Sequence, residues 1–243
     1  MRLDRYLYEQ GLAKSRTEAA RLIEAGAVTV AGAVRKKPSF SIEEDTPSVA
    51  VSVAEVAPFV SRGGEKLAAA LTAFSLSPSG HVALDVGAST GGFTDCLLQN
   101  GAVRVYAVDA GRGQLAEPLL RDARVILYEQ YNARYLKRED FLPLPTFAVM
   151  DVSFISATLI LPALSALLDS GSHFISLIKP QFEVGRAGLG KGGIVRDDAL
   201  RRRAVSTVVA AAEAVGLVHL GTIDSPILGG DGNREYLAAF RKE

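Results

Sequence analysis

Residues 81–95, His-Val-Ala-Leu-Asp-Val-Gly-Ala-Ser-Thr-Gly-Gly-Phe-Thr-Asp, constrain the fold more than any other part of the chain. Val82, Ala83, Leu84 and Val86 form a short apolar run of the kind that becomes a buried strand, and Gly87, Gly91 and Gly92 follow at once. Glycines there let the backbone turn sharply and lie against a ligand with no Cβ between them. Thr90 or Thr94 is placed to cap the helix that follows. The result is a nucleotide-sized corner. Its spacing, Asp-Val-Gly-x-x-x-Gly-Gly, departs from the G-x-G-x-x-G pattern that seats a pyrophosphate on a helix N-terminus, so a ligand without a pyrophosphate fits better. A second expected strand, 103–108, runs into Asp109, 24 positions after Asp85. A carboxylate at a strand tip accepts both hydroxyls of a ribose. S-adenosylmethionine has that ribose and lacks the phosphates. Taken alone, the stretch also reads as a glycine loop of any α/β domain.

Composition closes off other classes. Lys plus Arg and Asp plus Glu both number 27, so no global field points to nucleic acid and any basic surface must be local. The single cysteine, Cys96, excludes an internal disulfide framework, fits a reducing compartment and reads as a small core residue. The first residues lack the apolar core of a signal peptide. The longest apolar stretch, 157–168, contains Pro162 and falls short of the ~20 residues a bilayer requires. A soluble, cytoplasmic protein with no membrane partner is expected. No metal is expected either.

Residues 1–55 read as a small module of their own. Leu3, Leu7 and Leu12 mark a first helix ending near Gly11, and Ser15-Arg-Thr-Glu18 is a capping box for a second helix through Glu24. Short strands follow at 28–30, from Val34 onward and at 49–53, with a turn at Ala31-Gly32. Up to Lys37 the segment carries a local excess of four positive charges, and acids then gather at Glu43, Glu44 and Asp45. A basic helix face beside a basic hairpin suits the phosphates of structured RNA, and it equally describes a solvated surface. The pattern of Arg2-Leu-Asp-Arg-Tyr-Leu, Ser15-Arg-Thr-Glu-Ala-Ala-Arg-Leu-Ile, Gly26-Ala-Val-Thr-Val, and Gly32 with Lys36-Lys37-Pro38 resembles the S4-like RNA-binding domain. That resemblance makes Arg5, Arg16, Arg21, Lys36 and Lys37 the expected RNA-facing positions. Residues 56–61 read as a linker stiffened by Pro58.

From Arg62 to the end, helix and strand signals alternate. This predicts an α/β domain over 62–243, with a largely parallel sheet covered by helices on both faces. Expected helices cover 66–74, 92–100, 114–120 and 198–215, and a further segment over 156–168 separates two of the strands. Expected strands cover 82–86, 103–108, 124–127, 147–150, 174–178, 217–223 and 235–240. In an open sheet of this kind the carboxyl ends of parallel strands face the ligand crevice. Asp151 and Lys179 end two such strands, Lys66 follows Arg62-Gly-Gly-Glu, and Glu235 opens the last strand. A glycine-rich loop over 185–193 with Lys191 reads either as a substrate loop or as solvated surface.

Together these motifs resemble the TlyA-type, hemolysin-like rRNA methyltransferases. Those join an S4-like domain to an FtsJ-like, Rossmann-like ribose 2'-O-methyltransferase that uses S-adenosylmethionine. Arg62-Gly-Gly-Glu-Lys66, the glycine corner, Asp151-Val-Ser-Phe-Ile-Ser, Lys179-Pro-Gln-Phe-Glu and Gly232-Asn-Arg-Glu235-Tyr match in order. The resemblance implies a catalytic tetrad of Lys66, Asp151, Lys179 and Glu235, with Glu183 as a weaker rival for the second acid. It implies a cofactor pocket of Asp85, Gly87, Ser89, Gly91, Gly92, Phe93, Asp109, Asn132 and Asp151, and adds Arg62 to the RNA-facing positions. It also implies ribosomal RNA, or a ribosomal subunit, as partner. Because the chain opens directly on the RNA-binding module, it looks like the shorter subtype, whose substrate is large-subunit rRNA. The chemistry agrees: methylating a ribose hydroxyl asks the enzyme for in-line positioning and a base, and Lys179 serves only in its neutral form, with the carboxylates orienting the lysines. Two alternatives stay open. A non-catalytic RNA-binding factor needs only the first module, and a membrane-lytic hemolysin needs amphipathic or spanning segments.

Overall fold

The computed structural model describes residues 1–43, 51–53 and 58–243. Glu44, Asp45, the first part of the strand expected over 49–53 and residues 54–57 of the expected linker region lie outside the described residues. The chain divides into two compact units, Met1–Pro58 and Phe59–Glu243.

In the smaller unit, α1 (Leu3–Glu9) and α2 (Arg16–Glu24) share one apolar core with an antiparallel sheet of order β2-β1-β3. The strands are β1 (Val28–Val30), β2 (Ala33–Arg35) and β3 (Val51–Val53). Leu3, Leu7, Ala19, Leu22 and Ile23 are buried, as their helical spacing requires. The Ser15 hydroxyl accepts from the Glu18 N–H at 3.1 Å, but Glu18 does not reach back to Ser15; its carboxylate accepts from the Lys14 N–H at 2.5 Å. The capping box is therefore half formed. Ala31 and Gly32 take φ values of 50° and 76°, the primed turn whose twist suits a two-residue hairpin between Val30 and Ala33.

The larger unit is a seven-stranded sheet of order β6-β5-β4-β7-β8-β10-β9. Its parallel strands are β4 (Val82–Val86), β5 (Arg104–Val108), β6 (Val125–Tyr128), β7 (Phe147–Met150) and β8 (His173–Ile178). Then β10 (Tyr236–Lys242) inserts antiparallel between β8 and the edge strand β9 (Leu217–Asp224). Successive strand residues face opposite sides. Ala83, Val105, Phe147 and Val149 pack with α3 (Gly63–Ala73) and α4 (Gly92–Gln99) on one face. Leu84, Val86, Ala148 and Met150 pack with α6 (Leu161–Leu167) and α8 (Asp198–Glu213) on the other. Cys96 lies wholly in the core, where burial pushes its thiol up to about 12. The doubly covered sheet follows the hydrophobic runs, all of which are too short to span a bilayer. Among the described residues no helix is long and apolar enough to cross a membrane.

Two local expectations need correction. The helix expected over 114–120 is only α5 (Glu117–Leu120), because Gly113 N–H is taken by the Glu129 carboxylate and Ala116 N–H by the Thr90 carbonyl. The segment over 156–168, for which no element type was expected, forms a 3-10 turn, Ala157–Leu159, and α6, where Pro162 sits in the first turn, a position that asks nothing of its missing N–H. Neither Thr90 nor Thr94 caps α4. Gly91, at φ 96°, is the residue before the helix, and the Thr94 hydroxyl is spent on Asp85. Finally, α7 (Pro180–Glu183) begins directly after β8, so Lys179 is left in extended backbone between the two.

Candidate active site

Strand register builds the site. Val86 pairs with Val108 on one side and with Met150 on the other, so Gly87, Asp109 and Asp151 each stand one step past three aligned strand ends. Gly87 has a φ of 86°, and a Cβ there would overlap the Asp151 carbonyl oxygen and come within 2.9 Å of its carbon. Only glycine permits this approach. The Gly87 and Ala88 N–H groups donate to the Val108 carbonyl at 2.8 and 3.1 Å, which ties the turn to the end of β5.

Two adjoining cavities open over these strand ends, of about 260 and about 500 Å³, sharing Gly87, Ser89, Asp151 and Ser153. The larger joins apolar walls at Val108, Ile155 and Ile160 to the Asp109 carboxylate and Asn132. Its volume and lining suit a nucleoside-sized ligand held by a few polar groups. Asp109 is already oriented: its carboxylate accepts from the Ser89 N–H at 2.7 Å and the Gly111 N–H at 2.6 Å. Ser89 presents that N–H from a left-handed backbone, φ 49°. Asn132 lines the same cavity while its side-chain oxygen accepts from the Arg134 N–H at 3.1 Å.

The smaller cavity holds the cations. Lys179 Nζ lies 2.5 Å from Asp151 Oδ1 and donates to Ser153 Oγ at 2.8 Å. Register explains the arrangement, since Met150 pairs with Ser176 and Lys179 is therefore level with Ser153. Lys66, in the first turn of α3, reaches the same cavity because α3 and α4 start almost in contact: a Cβ on Gly92 would overlap Ser61 Oγ and lie 2.9 Å from the Gly64 N. Phe59 packs on Gly64, and the Val60 N–H donates to Asp95 at 2.8 Å, so this end of the expected linker is packed against the larger unit. Lys66 Nζ meets Glu235 Oε2 at 2.5 Å. The four charged residues expected to converge thus form two ion pairs, with Glu235 buried behind Lys66 and absent from the lining of either cavity.

The remaining expected positions divide. Phe93, Gly92 and the exposed Arg62 line the smaller cavity. Gly91 lines neither, and its missing Cβ makes room for Leu119. Glu183 stands apart, with its carboxylate accepting from Ser156 Oγ at 2.5 Å and the Ala157 N–H at 2.8 Å, so it caps a turn. Ser153 was not singled out in the sequence, although its place two residues past a strand-end carboxylate was a usable signal. Phe154, at φ 64° and 92% exposed, also escaped notice; its ring packs against Phe182 at 5.3 Å on the rim of the larger cavity. In the smaller unit, Arg5 pairs with Glu9 at 2.7 Å, Arg16 with Asp4 at 2.9 Å, and Arg21 donates to the Pro58 carbonyl. Lys36 and Lys37 are exposed.

The family model described as FtsJ-like methyltransferase matches residues 59–242, and the S4 domain model matches residues 1–46. The chain belongs to the FtsJ-like methyltransferase family. Among its relatives is the 16S/23S rRNA (cytidine-2'-O)-methyltransferase TlyA of Mycobacterium tuberculosis, 43% identical, the match covering 100% of this chain and 90% of that one. Hemolysin A of Brachyspira hyodysenteriae is 42% identical over 99% of both chains. A solved structure from Streptococcus thermophilus that carries a hemolysin name is 46% identical, covers 100% of this chain and 88% of its own, and superposes with a TM-score of 0.75.

Asp85 lies beneath this site and lines neither cavity. It is fully buried, its Oδ2 accepts from Thr94 Oγ1 at 2.6 Å, and among the described residues its Oδ1 has no hydrogen-bond partner. Burial pushes its carboxyl up to about 7, with the Thr94 hydrogen bond opposing and the nearby Asp151 carboxylate adding to the rise. The folded-state value lies above the unfolded one. Its stabilising contribution is therefore complete below about pH 4 and is lost as pH rises to about 7. Asp85→Asn removes the titration, so across that window the wild type should lose on the order of 1–3 kcal/mol relative to the variant. Thermal melts of both proteins at a series of pH values check this, and parallel curves would refute it.

Proposed function

We propose that this chain transfers the methyl group of S-adenosylmethionine to the 2'-hydroxyl of a cytidine in ribosomal RNA, acting in the cytoplasm. The full-length similarity to a 16S/23S rRNA (cytidine-2'-O)-methyltransferase supports the reaction and substrate class. A second relative, 35% identical, is a 23S rRNA (cytidine-2'-O)-methyltransferase. Large-subunit rRNA, common to both names, is the substrate to test first. The observation that carries the reading is the joined crevice, in which a ribose-sized polar end at Asp109 is continuous with a cationic end at Lys66 and Lys179.

In this reading Asp109 receives the cofactor ribose, Asn132 and the apolar walls receive its adenine, and Gly87, Ser89, Gly92 and Phe93 shape the wall beside its amino-acid end. Asp85 and Gly91 support that wall from behind. The bound sulfonium supplies an activated methyl group. The protein's own task is to align the ribose oxygen with that methyl group and to take its proton. Lys179 is the base. Its ammonium must first give up a proton to solvent, and the Asp151 carboxylate, 2.5 Å away, together with Ser153 keeps the amine pointed into the crevice. Lys66, fixed by Glu235, sets a second positive charge beside the site and keeps the RNA backbone in register. Arg5, Arg16, Arg21, Lys36, Lys37 and Arg62 meet RNA phosphates; Arg5, Arg16 and Arg21 do so while also bracing the small unit.

Asp109→Ala should weaken S-adenosylmethionine binding by about 1–3 kcal/mol, the usual cost of losing a hydrogen bond to a charged group. Calorimetry giving wild-type affinity would remove Asp109 from the cofactor site. Replacing Lys36 and Lys37 together with alanine should weaken rRNA binding and make its dependence on salt shallower by about one to two counterions, with cofactor affinity unchanged. An unaltered salt slope would mean that these lysines do not meet phosphates.

Lys179→Arg keeps the positive charge but replaces the amine with a guanidinium that stays protonated. A general base is worth about 10²–10⁴-fold in rate. Lys179→Arg and Lys179→Ala should therefore both lose single-turnover methyl transfer by about that factor, with cofactor and RNA affinities little altered. An arginine variant at near wild-type rate would make Lys179 a fixed charge and leave the proton to another group.

A further inference from the structure

The loop joining β9 to β10 carries more order than a connection needs. Its ends are closed by the Ser225 N–H donating to the Glu235 carbonyl at 2.9 Å, and within it the Gly229 N–H donates to the Asn233 carbonyl at 2.9 Å. Asn233 is 1% exposed. Its side-chain oxygen accepts from the Val195 N–H at 2.9 Å and its amide donates to the Gly193 carbonyl at 3.1 Å. Val195 is held from its other side, since its carbonyl accepts from the buried Arg201 guanidinium at 2.7 Å. Burying an amide and a guanidinium is costly unless each is fully paired. Both are paired here: the Asn233 amide bonds only backbone groups, while the Arg201 guanidinium divides between the Val195 carbonyl and the Asp198 carboxylate, so the pair fixes the path of two loops.

That path ends on Glu235. A Cβ added to Gly229 would overlap Glu235 Oε1 and lie 2.9 Å from its carboxyl carbon. Gly229 is not among the residues with left-handed backbone, so conformational freedom does not account for a glycine at this position. Close approach to the carboxylate does. Glu235, 2% exposed at its side chain, is thus confined between the Gly229 backbone and Lys66 Nζ, 2.5 Å away.

We propose that Gly229 and Asn233 are positioning residues for methyl transfer: Asn233 clamps the loop, and Gly229 seats the Glu235 carboxylate so that it aims Lys66 into the crevice. The inference rests on the reading of Lys66 and Glu235 as part of the catalytic apparatus. Neither Gly229 nor Asn233 touches either cavity, so both act through the Lys66–Glu235 pair. A methyl group at Gly229 must displace the carboxylate, whereas shortening the acid by one methylene makes room for that methyl group.

The test uses the full chain with S-adenosylmethionine and rRNA. Gly229→Ala should lower the single-turnover rate by about 10–100-fold while cofactor affinity stays within about twofold and the melting temperature is kept. Glu235→Asp alone should also slow the reaction, but adding it to Gly229→Ala should cost nothing further, because the two changes act on one contact. A second readout needs no turnover. In ¹⁵N-labelled protein the Lys66 ammonium, shielded by its carboxylate, should give a slowly exchanging resonance that Gly229→Ala abolishes. Asn233→Asp, which keeps the acceptor for Val195 but loses the donor to Gly193, should show a weaker form of both effects. The proposal is overturned by a wild-type rate in Gly229→Ala, by multiplicative losses in the double variant, or by a loss shared equally with folding and cofactor binding. A wild-type protein that binds the cofactor and methylates no rRNA would instead sink the functional reading itself.

Discussion

The Asp151 carbonyl rests where a side chain on Gly87 would have to be, and the rest of the site depends on that contact. It is possible because β4 and β7 pair in parallel with Val86 opposite Met150, so both strands end at one level and their next residues meet. With the backbone of Asp151 placed there, its carboxylate meets Lys179, which stands level with Ser153 on the neighbouring strand. On the other side the same turn holds β5 through the Val108 carbonyl and delivers the Ser89 N–H to Asp109. A protein interior packed at crystal density passes on such constraints with little slack. One glycine therefore sets the spacing between the group that would hold a ribose and the group that would take a proton.

The charges show how the protein divides the task. A buried ion pair is weak support for a fold, because withdrawing two charges from water offsets most of their attraction. The Lys66–Glu235 pair is nonetheless almost fully enclosed, at 10% and 2% side-chain exposure, and lies between α3 and the start of β10, two elements far apart in sequence. Its value lies in direction, since it holds one amine at one place on the cavity wall. Lys179 and Asp151 are more open, at 12% and 23%, and Ser153 gives Lys179 a second contact. The first pair is enclosed on both sides, and the second faces the crevice. Asp85, fully buried beneath both cavities, fits the same division: an ionised carboxylate there would add a third negative charge next to Asp109 and Asp151, and burial favours its neutral form.

Some of this was legible in the sequence because it is local. The apolar run before Gly87 makes a strand wherever it is placed, and the residue after such a run stands at a strand tip, which located Asp109, Asp151 and Lys179 without any knowledge of the sheet. What failed was tertiary. Asp85 belongs to the same motif and looks like a site residue, but it faces away to Thr94, and that takes from Thr94 the hydroxyl it needed to act as a cap. The four charged residues could be gathered in one crevice by strand order, whereas their division into Lys66–Glu235 and Lys179–Asp151 follows from the antiparallel insertion of β10, which no spacing rule contains. Glu183 illustrates the same limit. It is four residues from Lys179, yet the helix turn between them sends its carboxylate to Ser156 and the Ala157 N–H.

The smaller unit shows why counting charges is a poor guide to a nucleic-acid surface. Of its basic residues, Arg2 and Arg16 both serve Asp4, a buried carboxylate that the Arg2 guanidinium, with help from Arg16, holds down to about 2, and Arg35 lies over the Phe40 ring at 4.4 Å. Part of the local positive excess is thus committed to holding a small core together, which a domain with so little apolar surface to bury requires. The chain as a whole carries no net charge. Long-range steering toward RNA is correspondingly weak, so attraction would have to come at short range from individual exposed cations, several of them already paired with a neighbouring acid. Such a surface discriminates by where its charges stand and not by how many there are. For an enzyme whose reacting group is a ribose hydroxyl, present at every nucleotide of the substrate, the choice of target must rest on contacts away from the reacting group.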